Sequence, residues 1–277
     1  MVIDISPQEL AVVVPALLAG GVITGILSGL LGVGGGGILV PILYELFRVL
    51  GVDDAVRMHL AVGTSLAIII PTSFRSYQSH MRHGAADKDI IRQIGPWVAF
   101  GVVLGIFIAS VSPADALKAV FVLSSVLLAA KLYTGAARWQ LGTTLPAQPV
   151  PAIVGLMTGI ISTLIGIGGG VYISGYMTMY GRPIHQAVAT ASGFGPIIAI
   201  PAAIGYMAAG WAQEGLPTLS LGYVSLIGLA IVAPASVLAA PLGVRLAHGI
   251  SRRALEIAFA MFLTLVAIRF GLSIVLA

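Results

Sequence analysis

The chain contains no cysteine, and only 9% of its 277 residues carry a charged side chain. The absence of cysteine excludes disulfides, thiolate metal ligands and a cysteine nucleophile. The scarcity of charge excludes an ordinary soluble domain, in which about 25% of the residues are charged. Because 58% of the residues are hydrophobic and the mean hydropathy is +1.05, the composition predicts an all-α polytopic membrane protein.

Motifs of enzymes and nucleotide-binding proteins are missing as well. The sequence has neither Gly-x-Ser-x-Gly nor His-Glu-x-x-His, which carry a serine nucleophile and a zinc site in known hydrolases. We therefore expect no enzyme activity, no catalytic residues, no resident metal, no cofactor and no direct use of ATP. The formal net charge of +4 comes from short basic clusters beside apolar segments, so we expect no nucleic-acid partner.

A glycine-rich run occurs twice, each time inside a long apolar stretch. Residues 24–36 read TGILSGLLGVGGG, and residues 158–170 read TGIISTLIGIGGG. A second motif follows in the same order, as HLAVGT from His59 and as HQAVAT from His185. Two matched motifs in register indicate a duplication. The predicted organisation is one membrane domain, with a first transmembrane repeat at 1–135, a linker at 136–149 and a second repeat at 150–277.

Each half carries five apolar segments. They are predicted at 10–31, 38–51, 58–81, 90–111 and 114–134 in the first half, and at 150–166, 170–181, 184–209, 220–247 and 251–276 in the second half. Residues 170–181 are too short to cross about 30 Å of hydrocarbon at roughly 1.5 Å per residue. We therefore predict that the first two segments of each half form a glycine-broken helical hairpin, and that the two hairpins meet near the membrane midplane.

The loops differ in charge between the two halves. The loop at 82–92 contains lysine and arginine, whereas the equivalent loop at 210–219 contains neither. By the positive-inside rule, 82–92, 136–149 and 245–253 are cytoplasmic, and 210–219 and the N-terminus are external. Equivalent loops then lie on opposite sides of the membrane, so the two repeats are predicted to be inverted.

The glycine runs are the first candidate for a ligand site. Glycine has no Cβ, so consecutive glycines let backbone N–H groups turn toward a ligand. The residues after each run are predicted to be helical, which places two positive helix N-termini at the breaks. We predict a small anion site formed by Gly34, Gly35 and Gly36 of the first run and by Gly168, Gly169 and Gly170 of the second. Close helix packing is the alternative, and Gly25 and Gly29 have the spacing for it.

Hydroxyl side chains near the glycine runs add candidates for the same site. Thr64, Ser65 and Thr190 lie within apolar segments and could donate to an oxyanion, and hydrogen bonding to their own helix backbone is the alternative. Ser28 and Ser162 have the same two interpretations, with the backbone bond favoured.

Three basic or titratable residues complete the candidates. Arg75 could attract or bind the anion, or its long side chain could reach the membrane interface instead. His59 and His185 open the equivalent third segments and could bind an anion or couple transport to protons. The favoured alternative for both histidines is an interfacial position at a helix end.

Two glycine-rich hairpins, each followed by His-x-Ala-Val-x-Thr, resemble the TauE/SafE family of sulfite and organosulfonate exporters over essentially the whole chain. The resemblance implies a multi-pass protein of a bacterial or archaeal inner membrane that moves small sulfur-containing anions, usually outward. Val171 stands where the first run has Gly37, and Ala191 stands where the first half has Ser65. We therefore expect the two half-sites to contribute unequally.

The leading hypothesis is a secondary transporter that exports sulfite or a short organosulfonate such as sulfoacetate. An anion channel, or a carrier for a carboxylate, thiosulfate or sulfate, is the alternative. The expected partners are a small anionic substrate and the lipid bilayer. The sequence leaves open the coupling ion and whether the chain forms a homo-oligomer.

Overall fold

A computed structural model describes residues 7–31, 36–82, 86–135, 140–246 and 252–275. The described chain is helical apart from one short β-hairpin, as the composition predicts. Five helices form the first half: α1 (Pro7–Leu31), α2 (Gly36–Val49), α3 (Asp54–Arg82), α4 (Lys88–Val111) and α5 (Ala114–Thr134). Six form the second half: α6 (Val150–Ile165), α7 (Gly170–Met179), α8 (Ile184–Ser192), α9 (Phe194–Ala209), α10 (Leu226–Leu246) and α11 (Arg252–Val275).

Six apolar runs among the described residues are long enough to cross a membrane. They are α3, α4, α5, the nearly continuous α8–α9 run, α10 and α11. The helices α2 and α7 have 14 and 10 residues, so they measure only about 21 and 15 Å. Neither spans about 30 Å of hydrocarbon. Each follows a longer helix after a glycine run, as the predicted hairpins require.

The α8–α9 run is interrupted at Gly193. A Cβ on this glycine would lie 2.6 Å from Ile91 Cδ1 and 3.0 Å from Tyr77 Cε2, so a larger residue would require Ile91 to move. Pro196 follows in the first turn of α9 and has no N–H to continue the hydrogen bonds of α8. With α8 and α9 counted as one segment, each half contains five segments, as the sequence predicts.

The predicted helix at 220–247 is wrong over its first six residues. Residues 220–225 form an antiparallel β-hairpin, β1 (Ser220–Leu221) and β2 (Val224–Ser225), and α10 begins only at Leu226. Gly222 at the turn has a φ of +52°, and a Cβ there would collide with the carbonyl of Met207. The apolar side chains of this segment predict a helix. The turn at Gly222 needs a positive φ, which interrupts the hydrogen bonds of a helix.

Three pairs of packed helices, each with one helix from either half, join the two halves. Helix α1 packs on α10, α6 packs on α4, and α5 packs on α11. The first two contacts are so close that a Cβ on Gly25 of α1 would collide with the carbonyl of Ser236, and one on Gly159 of α6 with the carbonyl of Val98. Packing therefore explains Gly25, as the alternative interpretation proposed. The surroundings of Gly29 lie outside the described part of the structure.

Burial separates central helices from peripheral ones. Most residues of α3 and of the α8–α9 run are buried inside the protein, whereas only 33–39% of the residues in the apolar spans of α4, α5, α10 and α11 are buried. Large apolar side chains cover this exposed surface, among them Phe107, Leu127, Leu238 and Leu265. Such a continuous apolar exterior fits lipid rather than water. The peripheral helices therefore form the lipid-facing shell around α3 and α8–α9.

The glycine contacts predict a large effect of side-chain volume at the α4–α6 pair. We expect Gly159→Leu to lower the melting temperature in detergent markedly, because overpacking alone costs about 1–3 kcal/mol and here the neighbour is backbone. Gly271→Leu on α11 is the matched control, since a Cβ at Gly271 meets nothing within 4 Å. Equal melting temperatures of the two variants would contradict the packing.

Candidate functional site

The helix break between α6 and α7 spans Gly166–Gly169 and is buried throughout. Gly166 caps α6 with a φ of +70°, and Gly169 precedes α7 with a φ of +72°. A side chain is strained in this conformation, so the two turns explain why glycine recurs here. The N–H groups of Gly166 and Ile167 both donate to the carbonyl of Ser162, which closes the end of α6.

The start of α7 leaves backbone donors unused. The carbonyl of Gly169 accepts the N–H groups of Tyr172 and Ile173, so α7 begins at this point. Within the described chain, no atom accepts a hydrogen bond from the N–H of Gly168, Gly169 or Gly170. A helix N-terminus carries about half a positive charge. The break therefore presents a buried, electropositive group of donors.

Side chains from α6 and α9 surround Gly169. A Cβ on Gly169 would lie 3.2 Å from Thr158 Cγ2 and 3.3 Å from Ser162 Oγ, and it would collide with Ile198 Cδ1. The Ser162 hydroxyl is buried and has no hydrogen-bond partner among the described residues. The expected bond of Ser162 to its own helix backbone is therefore wrong, and the hydroxyl is a further donor beside the free N–H groups.

The opposite side of the break is apolar. A Cβ on Gly168 would lie 3.3 Å from Ile69 Cγ2 of α3 and 3.9 Å from the Cα of Gly195 in α9. Ser73 of α3 in turn packs against Gly195. The break is thus enclosed by α3, α6, α7 and α9, and the space beside it suits only a small ligand.

The first glycine run is only partly described. Gly34 and Gly35 lie outside the described residues, and Gly36 is the first residue of α2. The next glycine, Gly37, lies against the second break, because a Cβ on it would be 3.4 Å from Ile167 Cδ1. Val40 Cγ2 is 2.7 Å from the position of a Cβ on Gly166. The start of α2 and the α6–α7 break are therefore neighbours.

The two threonines of the repeated motif make equivalent contacts. Thr64 Oγ1 accepts the N–H of Ser225 at 2.9 Å, and Thr190 Oγ1 accepts the N–H of Asp87 at 2.9 Å. Ser225 precedes α10, and Asp87 precedes α4. Neither hydroxyl bonds its own helix backbone, so that alternative is wrong. Each threonine instead holds the start of a helix from the other half, and its O–H remains available as a donor.

The side chain of Ser65 reaches the break and hydrogen-bonds to the backbone there. Its hydroxyl donates to the carbonyl of Gly166 at 2.9 Å, which fixes the left-handed turn at the end of α6. Ser65 is therefore a positioning residue rather than a free donor. Its counterpart Ala191 has no hydroxyl, which agrees with the expected inequality of the halves.

The charged and titratable candidates lie away from the break. Arg75 is exposed on α3. His185 is exposed near the start of α8, which fits the interfacial interpretation. His59 is buried, contacts the carbonyl of Ala109 through Nε2 at 3.2 Å and stacks on Tyr223 at 4.9 Å. His59 therefore lies inside the protein near the start of α3, packed against the end of α4.

The sequence analysis missed an ion cluster around the buried Lys118. Lys118 Nζ of α5 lies 2.6 Å from Asp54 Oδ2 and 2.9 Å from Asp115 Oδ1. Asp54 Oδ1 also accepts the Tyr44 hydroxyl at 2.7 Å and the Arg57 guanidinium at 2.9 Å. Asp54 and Asp115 look like ordinary helix-start residues in the sequence, and only a lysine within an apolar helix hinted at the cluster. The cluster ties together α2, α3 and α5.

Apolar spans around a buried helix break are the architecture of a polytopic membrane transporter. The comparison with known proteins agrees with this class, because the family model described as "Sulfite exporter TauE/SafE" matches residues 17–270. The chain belongs to the TauE/SafE family. It is therefore a multi-pass membrane protein of a transporter family and not an enzyme.

Two of the relatives found among curated proteins cover nearly the whole chain. A "Probable membrane transporter protein" of Haemophilus influenzae is 31% identical over 91% of this chain and 96% of its own length. A protein of the same description from Methanocaldococcus jannaschii is 30% identical over 90% of this chain and 92% of its own. No solved structure matches the chain.

The threonine contacts predict a stability effect that depends on the hydroxyl. We expect Thr190→Val to lower the melting temperature in detergent, because a buried N–H without an acceptor costs about 1–3 kcal/mol. Thr190→Ser keeps the hydroxyl and should melt close to the unmodified protein. If the valine and serine variants melt alike, the contact with Asp87 does not hold α4 in place.

Proposed function

We propose that the protein is a secondary transporter that exports a small sulfur-containing anion, either sulfite or a short organosulfonate such as sulfoacetate. The observation that carries the proposal is the buried α6–α7 break, whose N–H groups at Gly168, Gly169 and Gly170 have no acceptor among the described residues. Buried polar groups are normally hydrogen-bonded. An anionic ligand supplies the missing acceptors.

The chemistry of the break favours a small anion over other solutes. The positive end of α7 offers backbone donors, and the Ser162 hydroxyl, which has no partner among the described residues, can add an O–H donor. Ile69 and Ile198 close the sides, which leaves no room for a bulky organic group near Gly168 and Gly169. An oxyanion with several acceptor oxygens on a compact centre matches this arrangement. Sulfite and the sulfonate head group both have that form.

Two further elements of the proposal concern symmetry. We propose that 1–135 and 150–277 are inverted repeats joined by the linker 136–149, and that the two glycine-broken hairpins meet near the midplane. The packing of α1 on α10 and of α6 on α4 supports this, and so do the equivalent hydrogen bonds of Thr64 and Thr190. The contact between Gly37 and Ile167 supports the meeting of the hairpins.

The orientation in the cell membrane follows from charge. The loop at 82–92, the linker and the loop at 245–253 are cytoplasmic in this proposal, and 210–219 and the N-terminus are external. The helix α7 then runs from the break toward the cytoplasm.

A flux panel in proteoliposomes tests the proposed function. Sulfite, sulfoacetate, thiosulfate, sulfate and small carboxylates are each loaded inside, and efflux is compared. We expect saturable efflux and counterflow for sulfite or sulfoacetate. Unsaturable conductance would replace the carrier by a channel, and preference for a carboxylate or sulfate would replace the substrate. No flux of any of these anions would overturn the proposal.

The site itself predicts which substitutions stop transport. We expect Gly169→Val to abolish transport in protein that still inserts and elutes as a single species, because the side chain would displace Ile198 and crowd Ser162 beside the free N–H groups. We expect Ser162→Ala to weaken apparent affinity about ten- to a hundredfold, the cost of a lost hydrogen bond to a charged ligand, roughly 1.5–3 kcal/mol.

Two controls separate site effects from general ones. Gly215 has a φ of +79° with nothing within 4 Å of a Cβ, so Gly215→Val reports the cost of backbone strain alone and should transport normally. Arg75→Gln should change apparent affinity little at high salt, since Arg75 is exposed and its field is screened. If Arg75→Gln eliminates binding at every salt concentration while Ser162→Ala binds normally, a fixed cation holds the anion instead.

The topology can be read from the cysteine-free chain. Asp89 and Gln213 are exposed at opposite predicted surfaces, and a single cysteine at either position would be the only one in the protein. An impermeant thiol reagent added to intact cells should label Gln213→Cys only, and Asp89→Cys should react only after permeabilisation. Labelling of both from one side would contradict inverted repeats.

A further inference from the structure

A lysine lies against α7 without an ion-pair partner among the described residues. Lys131 of α5 is half-buried, and its ammonium occupies the space left by Gly175, where an added Cβ would collide with Nζ. All acidic residues except Asp4 and Glu9 have described side chains, and none of these pairs with Lys131. An unpaired ammonium removed from water is costly, so its position calls for an anionic partner.

The equivalent cation of the other half already has such a partner. The helices α5 and α11 pack on each other, and their sequences align with Lys131 opposite Arg269. Arg269 Nη2 lies 3.2 Å from Glu45 Oε1 of α2. When α2 is aligned with α7 from their first glycines, Met179 stands in the place of Glu45. Each half thus has a cation at this position, Lys131 or Arg269, but only Arg269 has a carboxylate partner among the described residues.

Two more donors share the face of α7 that meets Lys131. Tyr172, Gly175 and Tyr176 follow the i, i+3, i+4 spacing of one helix face. The hydroxyls of Tyr172 and Tyr176 are buried, and that of Tyr176 has no hydrogen-bond partner among the described residues. The Tyr172 hydroxyl lies against the side chain of Ser124 in α5. Gly175 is five residues along α7 from the break, about 7–8 Å. A cation and two hydroxyls therefore lie on one face of the helix between the free N–H groups and the cytoplasmic end of α7.

We infer that Lys131 binds the transported anion on the cytoplasmic side of the break, in a subsite completed by the hydroxyls of Tyr172 and Tyr176. The inference rests on the proposed function, since it takes the transported anion as the ligand. The oxygens of the anion take the place of the water that the Lys131 ammonium has lost. Because Gly175 has no side chain, the anion can reach the ammonium. The outer half lacks this subsite because Glu45 neutralises Arg269.

The test measures sidedness with sulfite as the probe. Proteoliposomes containing Thr143→Cys protein report, by labelling of this exposed linker position, which side carries the linker. We expect Lys131→Gln to raise the sulfite concentration for half-maximal transport roughly tenfold or more when sulfite is presented on the linker side, and to change it little on the other side. Lys131→Arg should restore most of the affinity.

Matched variants make the outcome decisive. Arg269→Gln removes the equivalent cation that is already paired, and it should leave sulfite affinity from the linker side nearly unchanged. If Lys131→Gln does not yield a folded protein, Gly175→Ala displaces the ammonium without removing it and should weaken linker-side affinity in the same direction.

Each result has one meaning. Unchanged linker-side affinity in Lys131→Gln, or in Gly175→Ala where that variant is used, overturns the subsite while sulfite transport by the unmodified protein keeps the proposed function. An equal loss of affinity on both sides, or an equal effect of Arg269→Gln, also overturns it. Failure of the unmodified protein to move any anion of the panel removes the proposed function and the subsite together.

Discussion

The constraint on which the structure depends is that lipid offers no hydrogen bonds to the backbone. Wherever a helix starts or stops inside this protein, a polar group must come from another segment. Thr64 and Thr190 meet the need at the starts of α10 and α4, and Ser65 meets it at the carbonyl of Gly166. At the start of α7 no described residue provides such a group, and the proposed anion supplies it. The same rule thus accounts for both the scaffold and the candidate site.

The sequence was informative where the signal is local. Apolar runs gave nearly all helix bounds, and the glycine runs marked the breaks, because both follow from the composition of a short stretch. The errors arose where distant residues decide. The β-hairpin at 220–225 depends on Gly222 fitting beside Met207. The bonds of Thr64 and Ser65 join residues far apart in the chain, and so does the pairing of Lys118 with Asp54. Periodicity carries no information about such partners.

Duplication has preserved the framework and changed the polar groups within it. The threonine bonds recur in both halves, and so do the close glycine contacts of α1 and α6. Ser65 and Glu45, in contrast, correspond to Ala191 and Met179. Framework contacts hold backbones together, so they tolerate little change. Side chains that face a ligand or a solvent path can differ, which allows one end of a transporter to bind more tightly than the other.

The hydrogen bonds of Thr64 and Thr190, which each join one half to the other, also affect the order in which the chain folds during synthesis. The acceptor Thr64 is synthesised long before its donor Ser225, so the third helix of the first half enters the membrane with its hydroxyl unmatched. The donor Asp87 likewise waits for Thr190 to emerge from the ribosome. Neither half contains the partner for its own motif. The native core is therefore completed only when the tenth helix is inserted, and a chain truncated before that point keeps the membrane segments but not the interlocked fold.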